Sequence, residues 1–167
     1  RPMNLKQALN DHELLLMEAA VSEIMDQMEG VAVHPRLGAI PCIYDPVGQR
    51  VFRELYQGFI SVARGAGIPL LVTAPTWRAN QARIAEAGLS PNINADALDF
   101  IRSIRDRAGD FAPSVCVGGL LGCRDDAYKP DQGLGPEQAR IFHSWQADRL
   151  AEAGAEYLMA ATLPAVP

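Results

Sequence analysis

Charged and polar side chains follow two apolar runs of the chain. Glu18 comes directly after LLLM at residues 14–17, and Arg78 follows IPLLVTA at residues 68–74. A carboxylate can hold an ammonium group, and a guanidinium binds a carboxylate through two parallel hydrogen bonds. These residue types suit a zwitterionic amino acid, with Glu18 on its ammonium and Arg78 on its carboxylate. Two alternatives are open: the two charges neutralise each other, or Arg78 braces its own loop by bonding to carbonyl groups.

Further side chains that could act in catalysis or bind a metal follow the third apolar run, in GGLLGCRDDAYKP at residues 118–130. Asp125 and Asp126 are either a general acid–base pair or turn formers, and aspartates in glycine-rich turns are typically the latter. Cys42, Cys123 and His143 are the candidates for a metal site, but they lack the close ligand spacing of zinc sites. We therefore predict that this chain alone binds no metal.

Length, composition and charge limit the class of protein. A chain of 167 residues suits one domain with a real core. A net charge of −5 argues against a nucleic-acid surface, and no apolar run is long enough for a membrane span. The start RPMNLK lacks the apolar stretch of a signal peptide, and three unpatterned cysteines suit reduced thiols. The sequence therefore predicts a cytoplasmic protein without nucleic-acid or membrane partners.

The sequence predicts that alternating strands and helices position these groups. Near-continuous apolar runs, typical of parallel strands covered on both faces, occupy residues 14–17, 68–74, 114–118 and 157–160. Helical patterns ending in glycine precede the last three runs, and Asp45 with Pro46 predicts a helix start. Cys116 falls in the middle of a strand and is expected in the core. The pattern β-α-β-α-β-α-β indicates an α/β fold with a parallel sheet.

A doubly wound sheet and a (β/α)₈ barrel both fit this pattern. In both folds the chemistry lies beyond the carboxyl ends of the strands, where the loops carrying Glu18 and Arg78 are expected to meet. Neither the GxGxxG nor the GxxxxGK[ST] nucleotide-binding motif is present.

Three segments carry a resemblance to a known family. The segment TWRAN at residues 76–80 resembles the T-(W/F/Y)-R-A-N of the homocysteine S-methyltransferase family. The family's G-P-R-G-D-x-Y-x-P is similar to GCRDDAYKP at 122–130. Its S-x-E-E-A-x-x-Y-H is similar to the stretch that begins with GPEQA at 135–139 and ends at His143. AEAGAEYLMAATLP at 151–164 resembles A-x-A-G-A-D-x-(L/I)-x-x-E-T-(L/M)-P. The three segments occur in the family's order and span most of the chain.

The resemblance implies a TIM-type (β/α)₈ barrel of which residues 1–167 form one partial homocysteine-binding domain, strands one to four. It also implies methyl transfer to the thiol of homocysteine, bound to a zinc ion held by three cysteines around strands six and eight. This chain has no such second half, so no cofactor is expected in it. The substrate-binding residues that the resemblance and the loop positions suggest are Glu18, Ala19, Ala20, Thr76, Arg78, Asn80 and Thr162; catalytic residues are not assigned.

Two positions depart from the family pattern. Glu18-Ala19-Ala20 stands where the family has Asp-Gly-Gly or Asp-Gly-Ala, and Ala161 stands where it has a glutamate that helps hold the substrate's amino group. Three hypotheses remain open: a methyltransferase completed by a partner chain, a non-catalytic binding or assembly protein, and a truncated product without independent function. The partner is expected to be another copy or a complementary C-terminal half.

Overall fold

The computed structural model describes Met3 and residues 5–164. Six α-helices occur in this part of the chain: α1 Leu5–Asp11, α2 Val21–Gln27, α3 Pro46–Ala66, α4 Gln81–Glu86, α5 Ile93–Arg105 and α6 Pro136–Glu152. Four strands alternate with them: β1 Leu16–Met17, β2 Leu70–Ala74, β3 Val115–Leu121 and β4 Leu158–Ala160. Short 3₁₀ segments cover Ile40–Tyr44, Asp106–Ser114 and Pro130–Gln132.

All four strands are parallel and lie in the order β1-β2-β3-β4. The register pairs Leu16 with Leu70, Leu70 with Val115, and Gly119 with Leu158. The sheet curls into a half-barrel with alternating helices, which confirms the predicted α/β half of a TIM-type barrel. Strand order that follows chain order is what a barrel requires, so the doubly wound alternative is wrong.

The two faces of the sheet are distinguished by adjacent glycines of β3. A Cβ built on Gly119 would meet the side chain of Leu150 from α6, so Gly119 points to the helix layer. A Cβ built on Gly118 would meet the ring of Tyr157, so Gly118 points to the opposite, inner face. The main core lies between the sheet and the helices and includes Phe52, Tyr56, Leu98, Ile101, Val117 and Leu150, all buried.

Helix α3 begins and ends where its sequence predicts. The Asp45 carboxylate accepts a hydrogen bond of 2.7 Å from the backbone N–H of Gly48, and Pro46 occupies the first turn. Gly67 ends the helix in the left-handed conformation, with φ of 67°. Cys116 is buried within β3, as expected.

Four details of the structure differ from the predicted elements. Strand β1 starts at Leu16, and Leu14 is exposed. Strand β3 continues past Gly118 to Leu121, because its glycines serve close side-chain packing rather than a turn. Helices α2 and α4 were not predicted from the sequence, and only one residue of each is buried. Strand β4 is half-exposed, with Leu158 40% exposed, because the structure places no helix over it in residues 5–164.

The last residues of the predicted loop after the fourth strand, 165–167, lie outside the described part of the chain. Within the described residues, no helix is long and apolar enough to cross a membrane.

Candidate functional site

A cavity of about 660 Å³ opens at the carboxyl ends of the strands. The loops after β1, β2 and β3 and the segment after β4 all contribute to its lining. Five of the seven predicted substrate-binding residues line it: Glu18, Ala19, Ala20, Arg78 and Thr162. The expectation that these loops meet at one place therefore agrees with the geometry, and their binding role stays a prediction.

Glu18 anchors the cavity to the sheet. Its Oε1 accepts a hydrogen bond of 2.8 Å from the backbone N–H of Thr73 and another from the Thr73 hydroxyl. Thr73 is further held by Tyr56, whose hydroxyl donates to the Thr73 carbonyl at 2.6 Å. The second carboxylate oxygen of Glu18, Oε2, is buried and has no hydrogen-bond partner in the described residues. One half of this carboxylate is thus structural, and the other half is available to a ligand.

Arg78 keeps its charge available in the cavity. Its guanidinium carbon lies 5.1 Å from the centroid of the Trp77 ring, a cation–π contact. No ion pair or carbonyl bond of Arg78 occurs within residues 5–164, so neither pairing with Glu18 nor bracing of the loop is seen. Trp77 anchors the loop instead, because its Nε1 donates to the Ala161 carbonyl at 2.9 Å.

Thr76 and Asn80, the other two predicted residues, do not line the cavity. Thr76 is fully buried; its hydroxyl donates to the Leu120 carbonyl at 2.8 Å and accepts from the Leu120 N–H at 2.9 Å. Asn80 caps α4 by accepting from the N–H of Arg83 at 3.1 Å. Both side chains hold the loop that presents Trp77 and Arg78.

Two buried amides support the same loop from the helix side. The Gln146 amide of α6 donates to the Thr76 carbonyl at 2.7 Å and to Asn94 Oδ1 at 3.2 Å. Asn94 of α5 donates to the Ala79 carbonyl at 2.9 Å. Buried amides with satisfied partners specify one arrangement of the backbone. The loop after β2 is therefore fixed by both neighbouring helices.

The cavity also contains groups that the sequence did not reveal. Glu23 and Asp26 of α2 and His34 beyond it also line the cavity. His34 Nδ1 accepts from the N–H groups of Arg36 and Leu37, both at 3.2 Å. Helix α2 is short and mostly exposed, and the helical spacing of Val21, Ile24, Met25 and Met28 is the sequence signal that could have revealed it. The excess of acids over cations among the lining residues favours ligands that carry a positive charge.

The remaining candidates occupy structural positions. Asp126 accepts from the N–H of Tyr128 at 3.0 Å, and Asp125 pairs with Arg124 at 2.6 Å, as turn formers do. His143 packs against the Phe142 ring with centroids 4.9 Å apart, and burial lowers its pKa.

The comparison with protein families agrees with these observations. A family model described as homocysteine S-methyltransferase matches residues 10–167. The chain belongs to this family. No curated protein matches it.

Two solved structures share the family's fold with this chain. The oxidized form of the homocysteine methyltransferase MmuM from Escherichia coli aligns with a TM-score of 0.77 at 20% identity, over 97% of this chain and 57% of that one. Its metallated form aligns with a TM-score of 0.73 at 20% identity, over 95% of this chain and 57% of that one. The chain therefore spans little more than half the length of these structures.

Met3 and residues 5–164 do not fit the zinc ion that the family resemblance implies. No three His, Cys, Asp or Glu side chains within the described residues come together to hold a metal. Cys42, Cys116 and Cys123 are free and buried on separate segments. Burial, followed by the charge of Glu156, raises the pKa of Cys116 to about 11, which disfavours the thiolate that binds metals.

Two residues that line the cavity, Ala20 and Thr162, adopt the left-handed backbone conformation that glycine holds without strain. Ala20 has φ of 54° and ψ of 29° at the start of α2, at a position where the family has glycine or alanine. Thr162, after β4, has φ of 53°. Left-handed conformations cost non-glycine residues about 1 kcal/mol, and such residues are concentrated at functional sites.

The stability of the chain is expected to depend on pH through Glu18. Burial raises the pKa of the Glu18 carboxyl above its ordinary value, against the hydrogen bonds from Thr73, which lower it. The folded chain then binds this proton more tightly than the unfolded chain. Its contribution to stability is therefore present below the unfolded pKa and lost as the pH rises through the folded pKa.

Urea unfolding of the wild type and Glu18→Gln at several pH values tests this dependence. The free energy of unfolding of the wild type, measured relative to the variant, should fall between acidic and neutral pH, because the amide does not titrate. Glu54→Gln, at an exposed position of α3, controls for loss of a surface carboxylate. A difference that is constant or rises with pH contradicts the expectation.

Proposed function

We propose that this chain is the substrate-binding half of a methyltransferase that transfers a methyl group to a thiol such as homocysteine, once a partner completes the barrel. The observation that carries the proposal is that one cavity contains both an unpartnered carboxylate oxygen of Glu18 and the guanidinium of Arg78. Membership of the homocysteine S-methyltransferase family supports the choice of substrate class.

In this proposal the described residues bind and orient the substrate. Glu18 Oε2 accepts from the substrate's ammonium group, and Arg78, held against Trp77, donates two parallel hydrogen bonds to its carboxylate. The thiol is thereby held at a defined place at the carboxyl ends of the strands. A free thiol is mostly protonated at neutral pH, and the thiolate is the nucleophile. Activation of the thiol is therefore left to groups of the completing half.

Calorimetric titration of homocysteine and methionine tests the binding site. We expect the wild type to bind and Glu18→Gln and Arg78→Ala each to weaken binding about tenfold, because each removes a charged partner from a buried contact. Glu54→Gln and Arg50→Ala remove the same charges from exposed positions of α3 outside the cavity and should bind like the wild type.

Equal binding by the wild type, Glu18→Gln and Arg78→Ala excludes this site. No binding by any of them favours the second candidate, a non-catalytic binding or assembly protein. That candidate is favoured by Ala161, which lines the cavity without the acid that the family resemblance leads one to expect there.

The partner in this proposal supplies the missing strands. The outer edges of β1 and β4 pair with no other strand within the described residues, and the matched structures extend well beyond this chain. A complementary C-terminal half is the partner that would restore a closed barrel; a second copy of this chain would cover the same edges.

A further inference from the structure

Two buried polar atoms on the inner side of the sheet have no hydrogen-bond partner among the described residues. They are Glu18 Oε2, after β1, and the hydroxyl oxygen of Tyr157, before β4. An unpaired buried polar atom is costly unless a ligand or water satisfies it. The two atoms come from opposite edges of the sheet, so their relative position decides whether one ligand group can serve both.

The ring of Tyr157 crosses β3 toward Glu18. A Cβ built on Gly118 would lie 2.5 Å from Cζ of Tyr157, 2.6 Å from Cε1 and 2.7 Å from Cε2. These are the ring atoms at the hydroxyl end, so that end of the ring lies directly over Gly118. Only a glycine leaves room for it. The hydroxyl therefore reaches beyond β3 on its inner side.

Glu18 reaches the same place from the other side. Gly118 is the Cα partner of Thr73 in β2, and Thr73 donates both hydrogen bonds that Glu18 Oε1 accepts. Neighbouring strands are about 4.8 Å apart. Glu18 and the hydroxyl end of Tyr157 thus meet at the same level of the sheet, at the paired residues Thr73 and Gly118.

The electrostatics of the pair favour a ligand rich in hydrogen-bond donors. Burial, followed by the nearby charge of Glu18, raises the pKa of the Tyr157 phenol above its ordinary value, so the phenol stays neutral. A carboxylate oxygen only accepts hydrogen bonds, whereas a neutral phenol both donates and accepts. A primary ammonium carries three N–H donors, enough to satisfy Glu18 Oε2 and the phenol oxygen together.

We propose that Glu18 and Tyr157 form one subsite for a primary ammonium group, in which Tyr157 determines specificity for ligands that carry N–H donors. This inference rests on the proposed function in taking an amino acid as the ligand. A ligand without the amino group leaves both oxygens unsatisfied, and a fully methylated ammonium has no proton to donate to them.

The Tyr157→Phe variant tests the subsite because it keeps the ring over Gly118 and removes only the hydroxyl. The probes are homocysteine, methionine and 4-mercaptobutanoate, which is homocysteine without its amino group. We expect about tenfold weaker binding of the two amino acids and unchanged binding of 4-mercaptobutanoate. The midpoint of urea unfolding without ligand should stay equal or rise, because an unpaired buried hydroxyl is gone.

Tyr44→Phe is the matched control. Tyr44 lies outside the cavity and donates its hydroxyl to Asp96, so its loss affects stability only. Its affinity for all three probes should equal that of the wild type.

The outcomes separate this inference from the proposed function. Equal binding of homocysteine by the wild type and Tyr157→Phe overturns the subsite and leaves the proposed function standing. Weaker binding of all three probes together with a lower urea midpoint also overturns it, because the hydroxyl would then be structural. Binding of methionine but not homocysteine, with the expected dependence on Tyr157, supports the subsite and removes the thiol substrate. No binding of either amino acid to the wild type overturns both.

Discussion

Replacing Gly122 with alanine is expected to lower the free energy of unfolding by about 1–3 kcal/mol, the range for overpacking a tightly packed site. A Cβ at this position would lie 2.6 Å from Nε1 and 2.7 Å from Cδ1 of Trp77, and closest to the Trp77 carbonyl oxygen. The loop cannot move aside freely, because the adjacent Thr76 is bonded at its hydroxyl to both backbone groups of Leu120. Displacing Trp77 also strains its bond to the Ala161 carbonyl.

Urea unfolding and ligand titration together check this result. The variant should show a lower midpoint and weaker binding, since Arg78 rests on the displaced Trp77 ring. Gly58→Ala is the matched control, because a Cβ there meets nothing within 4 Å and Gly58 lies inside α3. It should stabilise the chain by about 0.5–1 kcal/mol. Equal stability of Gly122→Ala and the wild type would show that the contact with Trp77 is loose.

The second large effect is expected in the state of association. The purified chain should sediment as a dimer or larger assembly rather than at its chain mass of 18.1 kDa. Leu158 and Leu163 are 40% and 42% exposed around β4, and the free edges of β1 and β4 offer unpaired backbone groups. Parallel sheets are normally covered on both faces, and open edges associate readily. In a pure sample, the available partner is a second copy of this chain.

Leu158→Lys should shift the equilibrium toward the monomer, because it places a charge in the surface to be covered. Val62→Lys is the control: Val62 is also exposed but lies on α3, away from β4. Sedimentation across a wide concentration range measures the effect. A wild type that stays monodisperse at the chain mass throughout contradicts the assembly expectation.

The order and type of the larger elements could be predicted because apolar patterning and capping act locally. Asp45 and Pro46 mark the start of α3, and the apolar runs mark all four strands within a few residues. The extension of β3 to Leu121 could not be predicted, since its glycines read as a turn. Their role depends on Tyr157 and Leu150, which are distant in sequence and approach only in the fold.

The candidate site was predictable only in part, because residue type does not say where a polar side chain points. Glu18 and Arg78 face the cavity, as expected from their place after the strands. Thr76 and Asn80, in the same loop as Arg78, bond to the backbone instead. Tyr157 reads as an ordinary strand residue, and its unpartnered hydroxyl depends on the glycine beneath its ring.

Three bonds that hold the loops at the rim of the cavity end on main-chain atoms. Thr76 contacts the backbone of Leu120, Trp77 contacts the carbonyl of Ala161, and Gln146 contacts the carbonyl of Thr76. A carbonyl is present whatever side chain follows it, so residues 120 and 161 can change during evolution without loosening the scaffold. The side chains that contact a ligand can therefore change while the backbone bonds that hold the loops stay the same. A lineage could lose the acid at position 161 in one mutational step and retain a framework ready for another ligand.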